Sequence, residues 1–147
     1  MKRGFMFIIF CSALLIGCDE TTSETMALLD DEIVKVNITK YTDTEQFTDD
    51  YLYTFTDKQS IQIFKKAITT AKKLADDYDW KITDPDYNVY IKYEDDLPTH
   101  AIYFWLGDQD KKSMFMFIVQ TDSEEADLFL STPEATNELR QLLQVDD

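Results

Sequence analysis

The sequence predicts an α+β domain in which two helices pack on a single antiparallel sheet of about five to six strands. Most short apolar segments have the period-two pattern of strands, and the short loops between neighbouring segments indicate antiparallel pairing. Two other segments carry apolar residues at helical spacing behind good N-cap residues. The predicted order of elements is ββαββββα.

The first half of the domain is predicted to begin with two strands. Residues 33–39 alternate, with Val34, Val36 and Ile38 on one side and polar residues on the other. This pattern is typical of a half-buried strand. Residues 51–55 are rich in aromatic side chains, which favour strands.

A helix is predicted to follow the second strand. Asp57 is a good N-cap, and Thr56 stands in capping-box spacing with Gln59. Apolar residues then recur at helical spacing from Ile61 to Leu74 or Ala75. The lysines of this segment fall on its outer side or near its C-terminal end, where the helix dipole favours cations: Lys65, Lys66, Lys72 and Lys73.

Four more strands and a closing helix are predicted in the second half. The strands cover residues 87–93, 100–106, 113–120 and 127–131. Thr132 followed by Pro133 is a favourable N-cap with proline at the first helical position. The helix is expected to run to about Gln144, with three leucines inward: Leu139, Leu142 and Leu143.

Two consecutive strands are apolar on both faces over residues 100–106 and 114–119. A sheet with one wet face should alternate, so these strands are predicted to be central and covered on both sides. Either the domain's own elements cover the second face, or its aromatic residues form a surface for a partner or ligand. The candidates for such a binding surface are Tyr90, Tyr103 and Trp105.

The N-terminus has the order of a secretory signal: two cations, a short apolar run and a small residue before the cut. Its end, Leu15-Ile16-Gly17-Cys18, resembles the lipobox of bacterial lipoproteins. The resemblance implies cleavage between Gly17 and Cys18, a lipid on Cys18, and anchoring at the extracytoplasmic face of the cell membrane. The alternative, an uncleaved membrane helix, is disfavoured because the apolar run is shorter than the roughly 20 residues that span a bilayer.

These features divide the chain into three parts. Residues 1–17 are predicted to be the signal peptide, residues 18–31 the lipidated cysteine with a flexible acidic tether, and residues 32–147 one domain. Cleavage changes the formal charge from −15 to −17, because Lys2 and Arg3 are lost. So acidic a domain repels nucleic acid. Cys11 leaves with the signal peptide, so no disulfide is expected.

No pattern in the sequence specifies a reaction, a metal or a cofactor. Asp77 and Asp79 lie in an acidic loop without the spacing of a calcium site. His100 is the single histidine, and a triad with Ser113 or Ser131 lacks a supporting motif. We therefore expect a non-catalytic module that binds an envelope protein or cell-wall component. The alternatives are a carrier of a small apolar ligand and an envelope hydrolase with a carboxylate site.

The chain also resembles the YhfM-like domain of Gram-positive lipoproteins over residues 32–144. The similarity rests on the helix around Phe64, on Pro85 to Val89, on Tyr103 to Leu106, and on Leu128 to Ser131 with the leucines of the last helix. It implies a small lipid-anchored domain and assigns no catalytic residue.

Overall fold

A computed structural model describes residues 24–43, 50–75, 83–95, 97–118 and 126–145. In these ranges the chain forms one antiparallel sheet of seven strands and two helices, which confirms the α+β prediction with one strand more than expected. The elements are β1 (Ile33–Lys40), β2 (Tyr53–Phe55), α1 (Lys58–Thr69), β3 (Lys72–Lys73), β4 (Tyr87–Tyr93), β5 (His100–Trp105), β6 (Met114–Phe117), β7 (Leu128–Leu130) and α2 (Pro133–Leu142). The strand order is β2-β1-β4-β5-β6-β7-β3.

The main core lies between the sheet and the two helices. Val36 of β1 pairs with Ile91 of β4, and both side chains are fully buried. Phe104 of β5 stacks on Phe115 of β6 with ring centroids 5.1 Å apart, and Phe64 of α1 meets Phe104 edge to face. The alternate apolar side chains of the strands therefore pack against the apolar side of α1, as predicted.

Helix α1 begins as predicted and ends earlier than predicted. The Asp57 side chain caps it by accepting a hydrogen bond from the Ser60 amide at 2.9 Å. The helix stops at Thr69, whereas the sequence pattern extended it to Leu74 or Ala75. Thr69 and Thr70 are β-branched, and their hydroxyls bond to carbonyls one turn earlier, which weakens helix continuation. Lys72 and Lys73, predicted to be helical, form the additional strand β3.

Helix α2 matches its prediction closely. Thr132 is the N-cap and Pro133 the first helical residue. Leu139 is fully buried against the sheet. Lys66 of α1 forms an ion pair with Glu138 of α2 at 3.2 Å, so the two helices lie side by side on one face of the sheet.

The segment before β1 is packed on the domain. Residues 18–31 were predicted to be a flexible tether, yet Met26 is 1% exposed within the core. Thr25 forms a β-bridge with Lys72, and the Met26 amide donates to the Ala71 carbonyl at 3.2 Å. Residues 24–31 therefore belong to the fold because an apolar side chain and backbone hydrogen bonds hold them there. Residues 18–23 lie outside the described residues.

Strand β1 contains an irregularity that the alternating pattern did not predict. Ile33 pairs with Tyr93 and Lys35 with Lys92, so Val34 is an extra residue without a register partner on β4. Such a bulge turns the chain locally. Val34 is 39% exposed, and its predicted place beside Val36 on the core face is wrong.

Among the described residues, no helix is long and apolar enough to cross a membrane. The predicted signal peptide, Gly17 and Cys18 lie outside the described residues, and so do Asp77 and Asp79 of the acidic loop.

Candidate binding face

The sheet has a second face, opposite the two described helices, that carries every other side chain of its strands. We call it the second face. Register and alternation place the following residues on it: Lys35, Asn37, Thr39, Asn88, Tyr90, Lys92, Ala101, Tyr103, Trp105, Met114, Met116, Leu128 and Leu130. Its composition changes along the sheet, from polar on β1 and β4 to apolar on β6 and β7.

The apolar part of the second face is partly self-buried. Trp105, Met114 and Leu128 form a small cluster, separate from the main core, and each is at most 8% exposed. The Trp105 indole nitrogen donates to the Thr83 carbonyl at 2.8 Å, which holds the ring down. Trp105 therefore lies on the predicted face, but its side chain is buried and is not accessible to a partner. Met116 beside this cluster is half-buried.

Tyr90 and Tyr103, the other two predicted surface residues, lie on neighbouring strands and are both half-buried. Tyr103 meets Tyr41 edge to face with ring centroids 5.9 Å apart, and Tyr90 meets Tyr51 in the same way at 6.4 Å. Burial raises the pKa of Tyr90, partly opposed by its hydrogen bond with Thr39. The structure thus groups these two tyrosines with Tyr41 and Tyr51.

The centre of the second face is polar and buried. Asn37 is 1% exposed and accepts a hydrogen bond from the Thr54 hydroxyl at 3.1 Å. The Asn88 amide donates to the Thr39 hydroxyl at 3.5 Å. The Asn88 carbonyl oxygen is buried and has no hydrogen-bond partner among the described residues, which is unusual for a buried acceptor. Alternation placed Asn37 and Thr39 on this side, and both are buried there.

The residues considered for a catalytic triad are far apart. His100 lies at the start of β5, and its Nδ1 is 2.8 Å from the Tyr93 hydroxyl. Ser113 lies at the other end of that strand, where its hydroxyl donates to the Leu106 carbonyl. Leu106 is six positions after His100 along the extended chain, which corresponds to about 20 Å. Ser131 contacts Thr136 at the Ser113 end. The structure therefore does not assemble the triad.

Ser113, which directly precedes β6, belongs instead to a buried hydroxyl cluster. Thr136 of α2 accepts hydrogen bonds from the Ser113 amide at 2.7 Å and lies 3.3 Å from the Ser131 hydroxyl. All three side chains are at most 2% exposed. Because the hydroxyls bond to one another and to backbone groups, they fasten α2 to the ends of β6 and β7 and offer no free nucleophile.

Within the described ranges, no three histidine, cysteine or carboxylate side chains are grouped to hold a metal ion. The arrangement of the second face suits contact and hydrogen bonding. It provides half-buried aromatic rings, methionine and a buried polar centre, the features by which proteins recognise surfaces or polymers.

These features define a small α+β domain with both described helices on one side of its sheet and a mixed aromatic and polar face on the other. The model of the YhfM protein family matches residues 30–147, more than half of the chain, and the chain belongs to this family. No curated protein matches the chain. A similar solved structure is the crystal structure of a thioesterase-like protein from Clostridium sporogenes ATCC 15579, with 19% identity and a TM-score of 0.51. The match covers 78% of this chain and 96% of that chain, and at this identity it shows the shared fold alone.

Proposed function

We propose that this protein is a lipid-anchored, extracytoplasmic and non-catalytic module that binds a component of the cell envelope through its second face. The observation that supports the binding role is the grouping of half-buried Tyr90, Tyr103 and Met116 on the sheet face that neither described helix covers. Aromatic rings and methionine are enriched at recognition surfaces.

The anchoring part of the proposal depends on Cys18 and the apolar run before it. Replacing Cys18 with Ala removes the thiol that would carry the lipid. We expect the variant to leave the membrane fraction or to accumulate as an uncleaved precursor, whereas the parent chain fractionates with membranes. Mass spectrometry of the parent chain should show a start at Cys18 with added lipid. An intact N-terminus would contradict the anchoring.

The binding part is tested by site-specific photo-crosslinking in intact cells. A photoreactive residue at Met116 lies on the second face, and one at Gln62 lies exposed on α1. We expect a discrete crosslinked product from position 116 and none from position 62. The Tyr103→Ala change should weaken the product, because Tyr103 lies directly opposite Met116. Equal crosslinking from both positions would contradict a role for this face.

The shared fold with a thioesterase-like protein favours one second candidate, an envelope hydrolase. The test is hydrolysis of acyl thioesters by the purified chain. We expect no turnover, because the described residues do not bring Ser113 and His100 together. Turnover that copurifies with the chain and is lost in a His100→Ala variant would replace the non-catalytic proposal.

A further inference from the structure

Two lysines face each other directly across the second face. Lys35 of β1 is the register partner of Lys92 of β4, and both are half-buried. Side chains that lie directly opposite in an antiparallel pair have Cβ atoms about 5 Å apart, and like charges at this distance destabilise the sheet. The fold therefore keeps an unfavourable pair at this position.

Within the described ranges, no carboxylate forms an ion pair with either lysine. The ion pairs found in the described ranges involve other lysines, Lys66 and Lys73, and none reaches Lys35 or Lys92. The whole chain has 29 acidic residues against 14 basic ones. A lysine opposite a lysine is therefore in contrast to the overall composition. The register therefore places two lysines opposite each other on one face of a strongly acidic protein, and neither has a carboxylate partner among the described residues.

The bulge at Val34 places Ile33 and Lys35 on opposite faces of the sheet. In a regular strand Ile33 and Lys35 would share one face. The extra residue lets Ile33 enter the core opposite Tyr93, while Lys35 stays on the second face opposite Lys92. Bulges are often found where a side chain has to be aimed. Here the side chain that the bulge redirects is that of Ile33, and Lys35 keeps the regular alternation of β1 that places it opposite Lys92.

The next pair along the same face is aromatic and polar. Tyr90 is opposite Asn37, one row from the lysine pair on the second face. Successive residues on one face of a strand are roughly 7 Å apart. A ligand held by the lysines can therefore also contact the Tyr90 ring, and Tyr rings pack well on the carbon atoms of polyols and sugars.

We propose that Lys35 and Lys92 form the anion-binding part of the second face and take one phosphodiester group of an extended envelope polyol polymer, whose next unit lies on Tyr90. This inference rests on the proposed function and names the chemistry of its partner. Lysine binds phosphate as a point charge, without the planar fork by which arginine recognises carboxylate or phosphate in a bidentate way. The acidic remainder of the domain repels other phosphates of the polymer, which favours a single register.

The experiment is calorimetric titration of the full-length chain, in a neutral detergent, with a synthetic glycerol-phosphate oligomer. Charge-reversal variants Lys35→Glu and Lys92→Glu each remove the proposed contact and create an opposite-charge pair. We expect each to weaken binding about tenfold or more and to raise the unfolding midpoint by roughly 2 °C. Lys40→Glu, on the same strand but the other face, is the matched control and should leave binding unchanged.

Two further ligands and one further variant make the result decisive. Polygalacturonate presents carboxylates, and vesicles of phosphatidylglycerol present the same phosphodiester on a lipid surface. Both should bind more weakly than the oligomer. Lys92→Gln removes one charge without reversing it and should show a smaller loss, which guards against misfolding of the reversed variants.

The inference is overturned if the oligomer does not bind, if all lysine variants bind it equally, or if vesicles or polygalacturonate bind as well as the oligomer. These outcomes leave the proposed function standing when the Met116 crosslink is still formed. Loss of that crosslink contradicts the proposed function itself.

Discussion

The Tyr93 hydroxyl lies 2.8 Å from Nδ1 of His100, across the β4–β5 hairpin. The same hydroxyl oxygen accepts a hydrogen bond from the Leu29 amide at 3.3 Å. The roles in this bond depend on the tautomer of His100: an unprotonated Nδ1 accepts the Tyr93 hydroxyl proton, whereas a protonated Nδ1 donates to the hydroxyl oxygen. The protonation of His100 is thereby coupled to the segment before β1.

The first prediction concerns pH. Burial lowers the pKa of His100, so the fold holds the ring neutral and the unfolded chain binds more protons between the two pKa values. The stabilisation that comes from the neutral His100 ring is fully present above about pH 6.5, the pKa of histidine in the unfolded chain. It is lost as the pH falls through the lower pKa of His100 in the folded chain. Urea unfolding from about pH 7.5 to 5 should show this loss against a His100→Gln variant. Parallel profiles for the two chains would contradict it.

The second prediction concerns Thr136. Replacing it with Val keeps the shape but removes the acceptor of the buried Ser113 amide. An unsatisfied buried amide costs about 1–3 kcal/mol, and we expect the free energy of unfolding to fall by that amount. Thr56→Val is the control, because Thr56 is exposed, and it should change stability by less than about 0.5 kcal/mol. Chemical denaturation of both variants decides the matter.

The third prediction concerns Met26. Its side chain is 1% exposed, so Met26→Ala removes apolar contacts that hold residues 24–31 on the domain. We expect the free energy of unfolding to decrease by about 2–5 kcal/mol if the segment unfolds together with the core, and by less if the segment detaches first. Hydrogen exchange separates these cases. Faster exchange at the amides of Met26 and Lys73, with unchanged exchange in β4, is the expected result, and uniform acceleration would oppose it.

The fourth prediction concerns Trp105. Trp105→Phe retains an aromatic ring but loses the indole donor to Thr83. We expect a decrease in stability of about 1 kcal/mol. The segment around Thr83 should also become more sensitive to proteases. A Tyr103→Phe variant keeps its ring on the same strand and serves as the control. Equal protease sensitivity of the two variants would show that the indole bond does not hold this segment.

The local signals of the sequence were sufficient for the helix starts and for the class of fold. Asp57 and the Thr132-Pro133 pair act within a few residues, so their effect can be inferred without knowing the rest of the chain. The alternating pattern placed β4 correctly to the residue. The family resemblance was also confirmed by the match over residues 30–147.

Features that depend on distant contacts could not be inferred in this way. Strand β3 has two residues inside an apparently helical pattern, and it exists because β7 and Thr25 pair with it on either side. Asn37 is buried between two neighbouring strands, opposite Thr54 of β2 and Tyr90 of β4. The opposition of Lys35 and Lys92 follows from register, which a single strand pattern leaves open. The anchoring of Cys18 and the partner remain predictions.

The bridge between Thr25 and Lys72 lies on the outer side of β3, the last strand of the sheet. An open strand border offers unpaired backbone groups on which another polypeptide can assemble. Here the chain closes that border with its own leading residues. This pairing disfavours self-association of the protein through the β3 edge. If residues 24–26 detached, the unpaired backbone groups of β3 would be exposed and a second copy could pair with them.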